Sequence, residues 1–382
     1  MAQNVNIIPK DTIIARDGRP FSKGGRMKSL NWFYPSVVAG TIRTAIGYQQ
    51  GFDFKDKNKL EELKNISIKG PLPIFNNMLY FPAPLDCVLK SRTEKPFIAR
   101  PIKNLEKDEW TNLPEGLIPV TIDSDEDFKP CSNPPAFWSK DIMIKWLFED
   151  KEIIEYKNFV PFNSKSANSD EKPNKNFISF PQKDIRTNIQ INNEQTTKEG
   201  MLFQTTGLDF TNCNDFSERI LLSAKIDDEQ YTIKKSLATM GGESRTVGIF
   251  PVQNNNWDCP QIEDDFDVKY IRMVLATPAI FKNGWKPGWL NEGNPPIKDV
   301  KLKLKSAIID RWQPISGWDL EKKCPKPVRR MVPAGSVYFF EVEGNVKARE
   351  LSKLWLKSVC DEEQNNKDGF GLALFGIYNK NI

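Results

Sequence analysis

Hydrophobic and polar positions alternate most regularly in the second half of the chain. Residues 300–305 alternate Val and Leu with three lysines, a period of two that predicts a strand with one basic face. Aromatic and β-branched residues predict further strands at 271–276, 336–342 and 372–378. A basic strand face without aromatic residues is typical of a solvated face or a lysine-protected sheet edge rather than of RNA binding.

Helical spacing occurs in two segments. After Ser36, a suitable N-cap, apolar residues recur at helical spacing as far as Ile46, and Gly51 is a suitable stop. Arg43 lies off the main apolar stripe of this helix, towards one edge. Apolar residues between 351 and 359 also follow helical spacing and predict a helix near the end of the chain.

The segments between these elements differ in character. Two short extended runs, at 5–9 and 12–15, precede a loop at 16–26 that contains three arginines, one lysine and three glycines. Residues 71–183 show little periodicity and are rich in Pro, Asn and Lys, with one short helix predicted at 139–148. We interpret most of that segment as long insertions. Strands mixed with few helices favour an α+β fold with antiparallel sheets.

Charge is almost balanced along the chain. The 382 residues include 54 Lys and Arg against 50 Asp and Glu, a net charge of +4. A chain of this length suggests two domains of ordinary size or one large domain. Because the overall charge is so small, any nucleic-acid site must be a local basic patch.

The sequence contains no histidine. This excludes Ser-His-Asp and Cys-His catalysis, a paired-histidine ribonuclease mechanism and histidine metal sites. The six cysteines are scattered, without a CxxC pair, so we predict no metal and no cofactor and interpret them as reduced residues of a cytoplasmic protein. No secretory signal or membrane-spanning run is evident, and we expect no membrane partner.

Several local motifs occur in an order that resembles one known family over nearly the whole chain. The resemblance is to a RAMP-superfamily subunit of the type III-B CRISPR effector, the Cmr module. The motifs are DTIIARDGRPF at 11–21, PSVVAGTIRTA at 35–45, RTNI at 186–189, TTKEGMLF at 196–203, GGESR at 241–245, TP at 277–278, GWKP at 284–287, SGWD at 316–319, PAGSVYFF at 333–340 and GFGL at 369–372.

The resemblance implies an architecture and a role. It implies two packed ferredoxin-like (RRM-related) domains, 1–200 with an insertion at about 85–185, and 201–382 with a glycine-rich loop. It further implies a non-catalytic subunit in antiviral defence that binds the 5′ tag of the guide RNA (crRNA). Such a subunit bridges the large polymerase- or cyclase-like subunit to a neighbouring RAMP backbone subunit and contacts target RNA indirectly.

Candidate RNA contacts lie in basic or glycine-containing loops. Guanidinium and ammonium groups pair with phosphates, glycines allow close backbone approach, and indoles stack on unpaired bases. Purely structural roles would explain the same residues without RNA binding. They are solvated turns for the loops, a surface salt bridge for Arg43, core packing for the tryptophans, including Trp289, and a helix C-cap at 369–371. The candidates are Arg16, Arg19, Lys23, Gly24, Gly25, Arg26, Lys28, Arg43, Arg245, Trp285, Lys286, Lys326, Arg329, Arg330, Gly369, Phe370 and Gly371.

Two other functions fit parts of the sequence. A histidine-free endoribonuclease could use Lys or Tyr to process guide precursors, although no convergent set of such residues is evident. A carbohydrate-active enzyme could combine the ten tryptophans with paired carboxylates, although the basic glycine loops argue against it.

Overall fold

Antiparallel sheets with few helices make up the structure. The computed structural model describes residues 2–16, 29–102, 111–122, 124, 127–164, 171–193, 196–210, 219–261, 266–291, 295–297, 300–319 and 324–378. In these ranges the helices are α1 (Pro35–Gln49), α2 (Lys57–Asn65), α3 (Lys140–Leu147), α4 (Lys151–Ile154), α5 (Ala348–Ser352) and α6 (Glu363–Lys367). Among these helices, none combines the length and apolar character that a membrane span requires.

Strands outnumber helices throughout. They are β1 (Gln3–Pro9), β2 (Ile68–Phe75), β3 (Met78–Pro82), β4 (Cys87–Val88), β5 (Phe97–Pro101), β6 (Val120–Ile122), β7 (Phe137–Ser139), β8 (Phe177–Ile178), β9 (Gln182–Ile191), β10 (Thr197–Asp209), β11 (Leu221–Ile226), β12 (Ser236–Met240), β13 (Arg245–Val252), β14 (Tyr270–Leu275), β15 (Lys301–Ile308), β16 (Gln313–Ile315), β17 (Trp318–Asp319), β18 (Cys324–Pro325), β19 (Arg329–Met331), β20 (Val337–Glu343), β21 (Lys357–Ser358) and β22 (Leu372–Ile377). The predicted α+β class with antiparallel sheets is confirmed.

The chain divides into two compact units, each assembled from separate segments. Unit 1 comprises Met1–Asn76, Phe180–Gln253 and Gln313–Arg330. Unit 2 comprises Asn77–Ser179, Asn254–Trp312 and Met331–Ile382. Neither unit is a continuous half of the sequence, and most of the predicted insertion belongs to unit 2. The domain boundary near residue 200 stays a prediction. Local periodicity carries no information about which distant strands pair, so it does not indicate units that are assembled from separate segments.

Unit 1 is built on an antiparallel sheet with the strand order β12-β13-β1-β11-β2. The first strand is central, and its Ile7 lies opposite Leu222 of β11 on one side and Ile249 of β13 on the other. These residues join the buried core to which α1 contributes Val38 and Ile42. The apolar stripe that predicts the helix is therefore the stripe that packs in the core of unit 1.

The predicted N-cap of α1 is wrong, although its end is confirmed. Tyr34 is the N-cap, and the helix begins at Pro35. Proline is favoured in the first turn because its fixed φ suits the helix and its missing N–H has no helical partner there. Gly51 follows the C-cap with a φ of +68°, the left-handed conformation that glycine adopts readily.

Unit 2 contains a five-stranded sheet with the order β15-β20-β14-β22-β21, whose pairings are antiparallel. Helix α3 approaches this sheet closely at Gly376, where an added Cβ would lie 2.3 Å from the carbonyl oxygen of Leu147. The glycine is required by this close approach of two backbones rather than by a turn. The same unit contains the β3-β7-β8 strands and the small β4-β5-β6 sheet.

The lysine-rich strand lies at an edge of its sheet in the described part of the chain, as the alternating pattern predicts. Lys301 pairs with Glu343 at 2.9 Å, and Lys305 lies 3.6 Å from Glu341 on the neighbouring strand. Leu302 and Leu304 are buried on the other face. Exposed lysines on an edge strand discourage pairing with a second chain.

The helix predicted at 351–359 is wrong beyond its first residues. Helix α5 ends at Ser352, and Leu356 then takes a positive φ of +53°. Its N–H donates to Ala373 O at 3.0 Å, and β21 pairs with β22. The apolar spacing fits a helical face, but the neighbouring strand β22 offers the backbone a competing hydrogen-bond partner.

Candidate nucleic-acid interface

The two ends of the predicted basic loop are held together in unit 1. Arg16 forms an isolated antiparallel bridge with Ser29, and Leu30 N donates to Ala15 O at 2.9 Å. The hydroxyl of Ser29 donates to the carbonyl of Thr206 in β10. We call Ala15, Arg16, Ser29 and Leu30 the loop stem. The predicted contacts that lie outside the described residues are Arg19, Lys23, Gly24, Gly25, Arg26 and Lys28.

The turn at 241–245 packs against Ile13 and Ile14, which precede the loop stem. Gly241 has a φ of +74°, and an added Cβ would lie 2.5 Å from Ile14 O. The N–H of Gly242 donates to the same carbonyl at 2.9 Å. The paired glycines are therefore explained by backbone contact, whether or not RNA also approaches this turn.

Arg245 is engaged by carboxylates in this arrangement. Its Nη1 lies 2.5 Å from Asp11 Oδ2, and its Nη2 lies 2.7 Å from Glu243 Oε2. A phosphate at Arg245 would have to compete with both carboxylates for the same guanidinium. The predicted RNA contact of Arg245 stays a prediction. Glu243 belongs to the same motif, whereas the pairing with Asp11 joins residues that are remote in sequence.

Asp11 links this turn to the base of the β9–β10 ribbon. Its other oxygen lies 3.6 Å from Arg186 Nη2, and Arg186 also pairs with Asp184 at 2.6 Å. The pKa of Asp11 lies below its ordinary value, first because Thr12 N–H donates to it and then because of Arg245, against the opposing effect of burial. Asp11 is therefore held in its charged form near neutral pH.

Arg43 is buried rather than placed on an exposed edge of α1. Only 8% of the residue is accessible. Its Nε and Nη2 donate to Ile66 O at 3.1 and 2.8 Å, the C-cap carbonyl at the end of α2. The guanidinium thus satisfies a carbonyl that the helix leaves unpaired. This packing accounts for the arginine, and its RNA contact stays a prediction.

A basic hairpin in unit 1 exposes three of the predicted cations. We use this name for residues 313–330, where β17 pairs with β18 and β16 lies beside β19. Lys326 closes the hairpin by donating its N–H to Gly317 O at 2.8 Å. The side chains of Lys326, Arg329 and Arg330 are exposed.

The basic hairpin is fixed beside the segment that leaves the loop stem. Tyr34 OH donates to Pro314 O at 3.0 Å, so the hairpin starts against the N-cap of α1. Tyr34 lies five positions after Ser29, a stretch of chain that spans at most about 18 Å. The basic hairpin and Ser29 of the loop stem, which are remote in sequence, therefore lie near each other within unit 1.

In unit 2, residues 281–289 form a well-anchored loop that we call the tryptophan loop. Asp361 accepts from Lys282 N–H at 2.8 Å and from Gly288 N–H at 2.9 Å. Tyr338 OH donates to Trp285 O at 2.6 Å. The side chains of Trp285 and Lys286 are only half-buried, so an indole and a cation stay accessible on a fixed backbone.

Trp289 at the end of the tryptophan loop is a core residue, as the alternative interpretation predicted. It is buried, and its Nε1 donates to Val359 O at 3.1 Å. Its ring lies 5.9 Å from that of Phe340. The two tryptophans of the tryptophan loop thus have different environments, and of the two only Trp285 is placed to meet a ligand.

The glycine-rich loop 369–371 is packed into unit 2. Gly371 has a φ of +69°, and an added Cβ would lie 2.7 Å from Cys360 Sγ. Thr277 Oγ1 donates to Gly369 O at 2.7 Å, and Phe370 is buried. The contact with Cys360 explains Gly371 by local packing, and the predicted RNA contacts of residues 369–371 stay predictions.

The comparisons with known proteins agree with the motifs. The sequence model of the family described as CRISPR-associated protein (Cas_Cmr3) matches residues 5–378. No curated protein sequence matches the chain. Among solved structures, a chain of the cryo-EM type III-B Cmr-beta complex bound to cognate target RNA and AMPPnP (state 1) has 16% identity and a TM-score of 0.48, covering 88% of this chain and 86% of that chain.

Two further solved structures are similar over most of the chain. One is a chain of the type III-B Cmr-beta complex bound to cognate target RNA, with 15% identity, a TM-score of 0.49, and coverage of 96% of this chain and 95% of that chain. The other is from the crystal structure of the Csm3-Csm4 subcomplex in the type III-A CRISPR-Cas interference complex, with 11% identity, a TM-score of 0.39, and coverage of 90% and 95%.

Proposed function

The chain belongs to the family of CRISPR-associated proteins described as Cas_Cmr3 and is a subunit of a type III CRISPR effector, and from this premise we propose that it binds the 5′ tag of the guide RNA without cutting it. In this proposal the tag is gripped through its phosphates, and the protein supplies no catalytic group. The role is structural, in an effector that acts in the cytoplasm.

The observation that carries the proposal is the position of the exposed basic hairpin near the loop stem in unit 1. The basic hairpin exposes Lys326, Arg329 and Arg330, and the Tyr34–Pro314 hydrogen bond holds it near the end of the loop closed by the loop stem. Clustered guanidinium groups on fixed backbone suit a phosphate chain, because each group can pair with a separate phosphate. A nearly neutral protein thereby gains a local basic surface.

The tryptophan loop supports the same function in unit 2. A half-exposed indole beside Lys286 supplies a flat face for an unpaired base and a cation for its phosphate. Asp361 and Tyr338 hold the loop backbone in place. The backbone therefore loses little conformational entropy when an RNA base stacks on the indole.

The proposed partners are the other components of the effector. We propose that the protein joins the large polymerase- or cyclase-like subunit to a neighbouring RAMP backbone subunit, and that target RNA reaches it only through the guide. The guide-processing nuclease remains the second candidate in principle, but no described feature favours it over binding.

The proposal is tested by RNA binding across a salt series. The purified chain is titrated with a single-stranded guide carrying its 5′ tag and with the same guide lacking it. We expect tighter binding of the tagged guide, intact RNA afterwards, and a salt slope that falls by about 1.4 in Arg329→Ala/Arg330→Ala, since each phosphate contact to a single strand contributes about 0.7.

The matched control is Lys303→Ala, which removes an exposed cation from the edge strand of unit 2. It should leave both the affinity and the salt slope unchanged. Equal binding of tagged and untagged guides would remove the tag from the proposal. No binding, either alone or with the other subunits, would refute it, and cleavage that depends on this chain would favour the nuclease.

A further inference from the structure

The antiparallel sheet of unit 1 has a second face, opposite the one that packs against α1. In β1, Ile7 joins the core, so the alternate residue Asn6 lies on the second face. The register places Phe250 of β13 opposite Asn6. Gly248 lies two positions earlier in β13, opposite Leu237 of β12, so both belong to this face. The second face therefore carries an aromatic ring on the strand next to β12.

The ring of Phe250 lies between two lysines from the neighbouring strands. Lys10 Nζ lies 5.9 Å from the ring centre, and Lys235 Nζ lies 5.1 Å from it. The strand order β12-β13-β1 explains this arrangement, because Lys10 directly follows β1 and Lys235 directly precedes β12. Both lysines are exposed, and Phe250 is half-buried. We call Phe250, Lys10 and Lys235 the phenylalanine platform.

Gly248 leaves the room that the platform occupies. An added Cβ at this position would lie 2.6 Å from Phe250 Cε2 and 3.5 Å from Lys10 Cε. The aromatic ring and the aliphatic stem of the lysine therefore both lie over the backbone of Gly248. A side chain at this position would displace the ring, so the sequence of β13 itself fixes where the ring sits.

The face around the platform carries no carboxylate on the three strands that form it. Its residues on β1, β12 and β13 are Asn4, Asn6, Ile8, Leu237, Thr239, Thr246, Gly248, Phe250 and Val252. Asp11, which follows Lys10, is itself paired with Arg245. The two lysines thus give the platform a positive charge, which favours an anionic ligand.

A nucleotide of single-stranded RNA matches both parts of the platform. Unpaired bases stack on aromatic rings, and lysines pair with phosphates. A nucleotide within a strand has one phosphate on each side of its base, and the platform has one lysine on each side of its ring. When a base stacks on the ring, the ammonium groups can move to these phosphates. A base within a duplex does not suit the platform, because its neighbours already cover both of its faces.

The phenylalanine platform lies near the loop stem. Lys10 N donates to Thr246 O at 3.0 Å, so the platform adjoins the turn at 241–245. Ala15 of the loop stem lies five positions after Lys10, a stretch of chain that spans at most about 18 Å. A single RNA strand of a few nucleotides can therefore reach both the loop stem and the platform.

We propose that the phenylalanine platform binds one unpaired nucleotide of single-stranded RNA, with the base on Phe250 and the two flanking phosphates on Lys10 and Lys235. The inference rests on the proposed function only in taking RNA as the ligand, since the platform shares no residue with the basic hairpin or the tryptophan loop. The nucleotide belongs either to the guide or to a target strand, which offer the same chemistry.

The test is a titration of the full chain with tagged guide, with the same guide lacking its tag, and with target RNA alone. Phe250→Leu keeps an aliphatic side chain over Gly248 and removes the aromatic face. We expect the affinity for at least one of these RNAs to fall by about 5- to 150-fold, the loss that follows removal of one stacked base. Phe250→Tyr retains the ring and should bind as the wild type does.

The lysines are tested separately through the salt dependence of binding. Lys10→Gln/Lys235→Gln should lower the salt slope by about 1.4, since each phosphate contact to a single strand contributes about 0.7. The matched control is Lys234→Gln, which removes an exposed lysine beside Lys235 and should leave the slope unchanged. All three lysines are exposed, so the thermal midpoints should stay near that of the wild type, and this arm is independent of any effect of Phe250 on folding.

Cross-linking identifies the strand that supplies the nucleotide. The assembled effector is irradiated with 4-thiouridine placed in the guide or in the target, and the cross-linked peptides are identified by mass spectrometry. A cross-link to the peptide that contains Phe250 from one labelled strand assigns the nucleotide to that strand. Absence of this cross-link from both strands contradicts the inference.

Two further results would overturn the inference. One is that Phe250→Leu binds all three RNAs as tightly as the wild type. The other is that Phe250→Leu lowers the thermal midpoint while Lys10→Gln/Lys235→Gln keeps the wild-type salt slope, which would make the ring a packing residue. Failure of the proposed function is a different result: the wild type would bind tagged and untagged guide equally, whereas Phe250→Leu would still weaken both.

Discussion

Arg272 and Asp86 form an ion pair of 2.7 Å in the interior of unit 2, although 186 residues separate them. Both side chains are almost completely inaccessible. Trp146 Nε1 donates to the other oxygen of Asp86 at 2.8 Å, and the Arg272 guanidinium lies 5.5 Å from the centre of the Trp146 ring. These three residues fasten the segment 77–179 to strand β14 of the C-terminal sheet.

Breaking this pair should destabilise unit 2 severely. Asp86→Asn leaves a buried guanidinium without its counter-charge, and removal of one partner of a buried pair costs about 3–5 kcal/mol. The free energy of unfolding, measured in urea, checks this. The control is Glu343→Gln, which breaks the exposed Lys301 pair and should change the unfolding free energy little; equal effects of the two variants would contradict the argument.

A comparison of two glycines with nearly the same φ distinguishes the stability cost of backbone strain from that of steric overlap. Gly51 and Gly371 have φ of +68° and +69°, but an added Cβ meets nothing within 4 Å at Gly51 and meets Cys360 Sγ at 2.7 Å at Gly371. Gly51→Ala should therefore cost only the left-handed penalty of about 1–2 kcal/mol. Gly371→Ala should cost about 1–3 kcal/mol more, as overpacking does.

Thermal unfolding of the two glycine variants measures the difference directly. Equal stability losses would show that the glycine-rich loop can shift away from Cys360. In that case, packing would no longer explain Gly371, and the RNA contact predicted for this loop would be favoured.

Arg43→Met should reduce stability without changing RNA binding. The substitution leaves Ile66 O without its two donors in a buried site, which costs about 1–3 kcal/mol. Since the guanidinium points to this carbonyl, the salt slope of guide binding should stay as in the wild type. A slope reduced by about 0.7 in a stably folded variant would instead restore Arg43 as a phosphate contact.

Asp11→Asn should reduce stability in a pH-dependent way. The pKa of Asp11 is lowered in the folded protein, first by the Thr12 N–H and then by Arg245. The charged form is therefore favoured by folding, so its stabilisation is present above the ordinary pKa of 3.8 and is lost as the pH falls through the lowered value. Urea unfolding of both proteins should show a difference at pH 6 that disappears in strong acid.

The sequence predicts most helices and strands whose packing partners are close in sequence, or whose polar and apolar residues alternate regularly between two faces. The stripe of α1 and the lysines of β15 are examples, because a solvated face and a buried face alternate with a fixed period. It does not predict that Tyr34 holds the basic hairpin through Pro314 or that Asp86 holds Arg272, because each pair joins segments far apart. The family resemblance drew attention to the loops at 16–26 and 241–245, but whether Arg245 and Arg43 are accessible depends on Asp11 and Ile66, which lie far from them in the sequence.

The aliphatic residues of β9 illustrate the same limit. They alternate with polar ones, a pattern that also describes a strand with one buried face. Only the structure shows that Ile185, Ile189 and Ile191 are exposed in the described part of the chain. A periodic pattern identifies the face and leaves open what covers it.

Trp285 and Trp289, four residues apart in one loop, should respond in opposite ways to truncation. Trp289 is buried and hydrogen-bonded to Val359, so Trp289→Ala should cost about 3–5 kcal/mol of folding free energy and affect RNA binding only through loss of folded protein.

Trp285 is half-buried with its backbone held by Tyr338, so Trp285→Ala should leave the thermal midpoint nearly unchanged. If a base stacks on its indole, the affinity for tagged guide falls by about 5- to 150-fold. Trp285→Phe retains an aromatic face and should recover much of that loss. An affinity that is unchanged in Trp285→Ala would exclude the tryptophan loop from the RNA-binding surface and would leave the basic hairpin and the loop stem of unit 1 to account for binding.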